Sequence, residues 1–84
     1  MIPDIEIFTT PTCPDCLALK RWFTALGLHY RERDLRNPAV MDEARRRTGL
    51  RIAPITIVNG RPLWGTAAEQ IKRLRPLLGL VDAA

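Results

Sequence analysis

An α/β architecture in the order β-α-β-α-β-β-α is predicted by three features of this 84-residue chain. Apolar residues switch between the two-residue period of strands and the three- and four-residue steps of helices. Glycine or proline stands at most of the junctions between them, and an Asn59-Gly60 dipeptide separates two strand-like runs. A right-handed crossover makes the first two strands parallel, and the Asn59-Gly60 hairpin adds an antiparallel edge. The result is a four-stranded mixed sheet with helices on both faces, in one domain spanning residues 1–84.

Ile5 to Thr9, bounded by Pro3 and Pro11, forms the first strand. From Pro14 to about Leu26 an amphipathic helix follows, with Cys16, Leu19, Phe23 and Leu26 on its apolar stripe and Gly27 as its stop. Leu28 to Leu35 alternates well enough for a half-exposed second strand. Asn37 caps and Pro38 opens a helix that runs to Thr48 and ends at Gly49, with Asp42 and Glu43 early and Arg45, Arg46 and Arg47 late, as the macrodipole prefers. Those arginines are expected on a solvated face.

Pro54 to Val58 reads as a buried strand. Asn59-Gly60 suits a turn in which both central residues take positive φ, so Arg61 to Trp64 folds back antiparallel. Thr66 and Glu69 make a capping box for a last helix, whose apolar face carries Ala67, Ile71 and Leu74. Pro76 should end or kink it.

Composition narrows the function. Hydrophobic residues at 46% and charged residues at 26% describe a globular protein rather than a disordered chain. Asp4 and Glu6 interrupt the only apolar run near the amino terminus, so neither a signal peptide nor a membrane span is expected, and the reading is cytoplasmic. The net charge of +4 comes from basic residues spread along the chain; with few aromatics and no binding signature, nucleic acid is not an expected partner. A monomer is expected. In a reducing compartment the two cysteines, Cys13 and Cys16, are more readily catalytic or metal-binding than a permanent cross-link.

The segment Cys13-Pro14-Asp15-Cys16 has a mechanism built into its placement. Cys13 falls at the helix cap, Pro14 at the first helical position, where a missing N–H costs nothing, and Cys16 one turn deeper. A thiolate at Cys13 faces unpaired amides and the positive end of the dipole, so the nucleophile is expected to be ready at neutral pH. Positions three apart at a helix start lie at about the 5.5 Å Cα separation that a disulfide needs. Cys16 can therefore attack a mixed disulfide formed at Cys13 and release the reduced partner. Its place on the apolar stripe makes it the resolving residue. No metal or other cofactor is expected, because a structural zinc site wants four ligands and the chain offers two cysteines, the distant His29 and carboxylates.

With these residues the chain resembles the glutaredoxin and thioredoxin superfamily over about residues 4 to 75. The likeness rests on the strand leading into Cys-Pro-Asp-Cys, Lys20 four residues beyond Cys16, Ala53-Pro54 before the third strand and the Asn59-Gly60 hairpin. It implies a thioredoxin-like fold and a dithiol–disulfide oxidoreductase acting on protein disulfides. It also implies a cis bond at Pro54, packed beside the dithiol, and a backbone at Ala53 that pairs with substrate. Thr12, Lys20, Trp64 and Gly65 are the remaining expected substrate contacts, while Pro14 and Asp15 tune the redox couple.

Typical glutaredoxins carry a basic residue three before the first cysteine and a Gly-Gly-Cys/Ser-Asp segment after the hairpin, both used to hold glutathione. Here those positions read Thr10 and Trp64-Gly65-Thr66-Ala67. The Thr66/Glu69 box already fills the helix amides on which a carboxylate would sit. The chain is thus most similar to glutaredoxin-like redoxins of the NrdH type, which thioredoxin reductase reduces and which supply ribonucleotide reductase. Those usually carry a longer Trp-Ser-Gly-Phe segment, absent here, and a glutathione-dependent glutaredoxin stays open as the alternative. An iron–sulfur module that shares the cysteine pair between subunits is the rival of another class.

His29 is expected at the surface and Trp22 and Phe23 in packing; Trp64 either packs at the sheet edge or covers the dithiol. Asp15 stabilises the first turn as an acid while setting a like charge near the thiolate. Asp15→Tyr is therefore expected to raise the thiolate fraction of Cys13 at neutral pH and make the couple more oxidising. A thiol titration showing no change, or a fall, would reject this.

Overall fold

The computed structural model of the protein describes residues 2–80. Strands β1 (Ile5–Thr9), β2 (Arg31–Asp34), β3 (Ile55–Val58) and β4 (Arg61–Leu63) alternate with helices α1 (Pro14–Ala25), α2 (Pro38–Thr48) and α3 (Ala67–Leu77) in the expected chain order. The sheet runs β2-β1-β3-β4, with β1 parallel to β2 and antiparallel to β3, and β3 antiparallel to β4. This is the mixed sheet of the thioredoxin-like fold.

Burial explains the strand order. Every residue of β1 and β3 is buried, so these two strands take the centre and must be covered on both faces. Side chains alternate across β1: Ile5 and Ile7 join Leu19 and Phe23 of α1 and Ala67 and Leu74 of α3 in one core. Phe8 faces the other way, packing with Ala44 of α2 and with Leu35, Ile55 and Ile57. At the hairpin, Asn59 and Gly60 have φ of 49° and 84°, the positive values that this turn demands. Asn59 also exchanges hydrogen bonds with Asp4: its amide donates to the Asp4 carbonyl and its Oδ1 accepts from the Asp4 amide, each at 2.9 Å.

Several boundaries differ from the sequence reading. The second strand covers only Arg31–Asp34, because Leu28 still donates to the Phe23 carbonyl at 2.9 Å and so belongs to the closing turn of α1. Leu26 is the exposed cap of that helix rather than part of its apolar stripe. Asp42 and Glu43 lie beyond the first turn of α2, which carries no acid. Pro76 does not stop α3 outright: the helix reaches Leu77, and Leu78 still donates to the Leu74 carbonyl.

Arg47 is the larger correction, since it is not simply solvated. Glu6, on the α2 side of central strand β1, is 2% exposed. Arg33 donates to its carboxylate at 2.5 Å from β2, and Arg47 lies 2.8 Å from it on α2. Glu43 binds both arginines in turn, taking two bonds from Arg33 at 2.8 and 2.9 Å and one from Arg47 at 2.8 Å. The two guanidinium groups also lie over the Phe8 ring, at 5.5 and 5.8 Å from its centroid. Burial opposes the charge on Glu6, but the bonds from Arg47 and Arg33 and the charges of Arg47 and Arg31 outweigh it and hold its carboxyl below the usual range. The bonds of Arg33 and Arg47 bring Glu43 down to about 2.

This cluster fastens α2 to the sheet. Glu6→Gln removes the buried charge itself and leaves Arg33 and Arg47 paired with Glu43, so it is expected to destabilise the fold by only about 1 kcal/mol, seen as a lower urea midpoint at unchanged slope. Both carboxyls have folded pKa values below their unfolded ones, so their contribution is complete above the unfolded value and disappears as pH falls through the folded one. Wild-type stability should decline between about pH 4.5 and about 2, and a double Glu6→Gln, Glu43→Gln variant should show a flatter decline. Equal acid slopes would contradict this role.

Candidate functional site

Strand β1 ends at Thr9, and the chain turns through residues 10 to 12 into the start of α1. The Cys13 amide donates to the Thr10 carbonyl at 3.4 Å, closing that turn. Cys13 is the cap residue of α1, extended at φ −94° and ψ 108°, and Pro14 holds the first helical position. In place of the usual oxygen, the Cys13 sulfur accepts the Cys16 amide at 3.1 Å. A sulfur anion there is met by a donor and by the positive end of the helix.

Cys16 lies one turn deeper and is 1% exposed, whereas Cys13 is half-buried. Burial, and then the hydrogen bond to Cys13, push the Cys16 thiol up to about 12. Cys16 therefore remains a buried thiol while Cys13 is the more open of the two, and the two sulfurs are chemically unequal. They share an open cleft of about 320 Å³ with Thr10, Pro11, Thr12, Leu17 and Lys20.

Lys20 reaches this cleft, but its ammonium is already engaged. It binds Glu32 at 2.9 Å, and the Thr9 hydroxyl donates to the same carboxylate oxygen at 2.8 Å. The Glu32 bond raises the Lys20 pKa, and the Lys20 bond lowers that of Glu32, so the two shifts agree.

Asp15 makes a contact that no local reading contains. Its Oδ1 accepts the Ala67 amide at 3.0 Å, across 52 residues, and so bonds the first turn of α1 to the first turn of α3. The Thr66/Glu69 box forms beside it as expected, with the Glu69 amide donating to the Thr66 hydroxyl at 3.1 Å and the Thr66 amide to the Glu69 carboxylate at 3.3 Å.

The other expected contact residues group elsewhere. The Ala53-Pro54 bond is cis, Pro54 is buried, and Ala53 packs against the Phe8 core. Trp64 is 46% exposed, and Gly65 has φ 107°, a value that disfavours any side chain. Neither pair lines the cleft of the cysteines. They are joined instead by Gln70, a fully buried residue of α3 whose Nε2 donates to the Pro54 carbonyl at 2.9 Å and to the Gly65 carbonyl at 3.1 Å. Sequence reasoning missed Gln70. The available signal was its spacing from Ala67 and Leu74, which puts a polar side chain on the buried face of α3. His29 is exposed, and Phe23 is buried against Trp22 and Tyr30, as expected.

A family model described as glutaredoxin matches residues 5–63. No curated protein matches the sequence significantly. Among solved structures, the thioredoxin-like protein BC3987 is 24% identical, with a TM-score of 0.75 over 84% of this chain and 99% of its own. Wheat glutaredoxin is 23% identical, with a TM-score of 0.72 over 89% of this chain and 76% of its own. A buckwheat glutaredoxin–glutathione complex is 22% identical, with a TM-score of 0.69 over 88% of this chain and 70% of its own.

The inequality of the two sulfurs has a direct chemical readout. Iodoacetamide at neutral pH should carboxamidomethylate Cys13 in the folded, reduced protein and leave Cys16 unmodified, while both should react after unfolding. Peptide mapping that found Cys16 labelled as fast as Cys13 would contradict the arrangement.

Proposed function

This chain belongs to the glutaredoxin family, whose members are thiol–disulfide oxidoreductases, and from that premise we propose that it reduces protein disulfides through Cys13 and Cys16. The observation that carries the reading is the pairing of a cap-held sulfur with a buried thiol: the Cys16 amide donates to Cys13, and Cys16 itself is held protonated.

The Cys13 thiolate attacks one sulfur of the substrate disulfide. A Cys13–substrate disulfide forms, the substrate S–S bond breaks, and the departing thiolate takes up a proton. Cys16 then gives up its proton and attacks the Cys13 sulfur, so that the Cys13–Cys16 disulfide forms and the second substrate thiol leaves. The substrate gains two electrons from the cysteine pair and two protons, one given up by Cys16 and one taken from solvent. Closing the ring needs little motion, since Cys16 lies one helical turn from Cys13 and its amide is already bonded to the Cys13 sulfur. Ala53 and Pro54 present a backbone edge to the substrate, with Trp64 and Gly65 on the same side, while Thr12 and Lys20 meet it in the cleft of the cysteines.

Thioredoxin reductase is the proposed source of electrons, with ribonucleotide reductase as one acceptor, in a reducing compartment such as the cytoplasm. The start of α3 supports this choice over glutathione. The Ala67 amide is bonded to Asp15, and Thr66 and Glu69 fill each other's amides, so a tripeptide carboxylate meets occupied donors and two negative side chains. No helix among the described residues is long and apolar enough to cross a membrane.

Oxidised protein should be reduced by NADPH and thioredoxin reductase at least about tenfold faster than by glutathione and its reductase. Preferential reduction by glutathione would overturn the donor assignment. Cys13→Ser should abolish disulfide reduction and Cys16→Ser should accumulate the mixed disulfide; a Cys13→Ser protein at full activity would overturn the mechanism.

A further inference from the structure

We propose that Gln70 is a positioning residue for substrate docking: its buried carboxamide fixes the Ala53-Pro54 edge and the Trp64-Gly65 turn in one register, from within α3. The inference rests on the reading of Ala53-Pro54 as the edge that meets the substrate.

A carboxamide has two N–H hydrogens and one carbonyl oxygen, and Gln70 uses both ends. Nε2 donates to the Pro54 carbonyl at 2.9 Å and to the Gly65 carbonyl at 3.1 Å. Oε1 accepts the Thr56 hydroxyl at 2.6 Å. The orientation of the amide is set by its partners, because two carbonyls can only accept and must face the NH₂ group. Thr56 lies in β3, two residues beyond Pro54, so a single side chain joins the strand, the residue that precedes it and the turn after β4. Gln70 is 0% exposed, and among the described residues no buried side-chain nitrogen or oxygen lacks a partner.

An apolar residue would suit this face of α3 if packing were its only task. Gln70 stands instead between Ala67, 6% exposed, and Leu74, 0% exposed, where a long amide gains only if its donors are needed. No other side chain type of its length offers two donors and one acceptor in a plane without a charge. The held carbonyls belong to Pro54 and Gly65, directly after Ala53 and Trp64, two of the residues assigned to the substrate. Gln70 touches no substrate atom, so its effect must appear in docking before it appears in sulfur chemistry.

The test uses single-turnover oxidation of the pre-reduced protein, which needs no electron donor, with insulin as a protein disulfide and cystamine as a small one. Gln70→Met keeps the length and volume of the side chain and removes both donors. It should raise the half-saturating insulin concentration about tenfold, while the cystamine rate and the iodoacetamide rate at Cys13 stay within about twofold of wild type. Thr56→Val leaves both carbonyl bonds in place and should stay within about twofold for both disulfides.

An unchanged insulin dependence in Gln70→Met would overturn the proposal. So would an equal loss with insulin and cystamine, or a Thr56→Val protein as impaired as Gln70→Met, since either outcome means a loosened core. Wild-type protein inert to both disulfides would instead defeat the proposed function, and this inference with it. Should Gln70→Met fail to fold, the Cys16→Ser protein trapped as a mixed disulfide with an insulin chain decides. The Gln70 side-chain amide signals, slow to exchange with solvent, should shift on trapping, and unmoved signals would overturn the proposal.

Discussion

The bond from the Cys16 amide to the Cys13 sulfur, 3.1 Å long, sets the character of the site. It forms because a cysteine takes the cap position, where an oxygen-bearing side chain is usual, and because Pro14 next to it has no amide to compete. The same helical turn that aims this donor puts Cys16 on the buried stripe with Leu19 and Phe23. One sulfur is thereby open to the cleft and met by an amide donor, and the other is buried and kept as a thiol. Two identical residues acquire opposite roles from a difference of three positions.

The rest of the fold keeps that helix start in place. Central strands β1 and β3 carry it from below, and α1 and α3 share a core on one face. Asp15 bonds the first turns of these two helices directly, and Gln70 joins α3 to β3 and to the residues flanking it. On the opposite face a buried acid, Glu6, gathers arginines from β2 and α2, so that α2 is held by charge as well as by Phe8 and Ala44. Such a cluster is weak evidence for net stability, because desolvation offsets most of the attraction. It does bind α2 in one register, since each arginine finds its carboxylates only there.

Features with a local cause were legible in the sequence. Cys13 and Pro14 at a helix start, Asn59-Gly60 at a hairpin, Gly49 after α2 and the Thr66/Glu69 box each act within four residues, and each stands where it was expected. The cis bond at Pro54 came from the family resemblance, not from the residues themselves. What escaped notice was long-range. Glu6 looked like an interruption of an apolar run, and nothing nearby announces that Arg33 and Arg47 will meet it. Asp15 was read as a first-turn acid that sets a like charge near the thiolate, and its bond to Ala67 went unseen because that partner lies 52 residues away. Gln70 was hidden by the habit of reading a polar residue in a helix as exposed, whereas its partners arrive only when β3, β4 and α3 close on one another.

The most direct test is the ultraviolet thiolate absorbance of the fully reduced protein, followed across neutral pH in wild type, Cys13→Ser and Cys16→Ser. One thiolate should be present in wild type and in Cys16→Ser and absent from Cys13→Ser. A thiolate signal that survives in Cys13→Ser and vanishes in Cys16→Ser would contradict a nucleophile held at the helix cap.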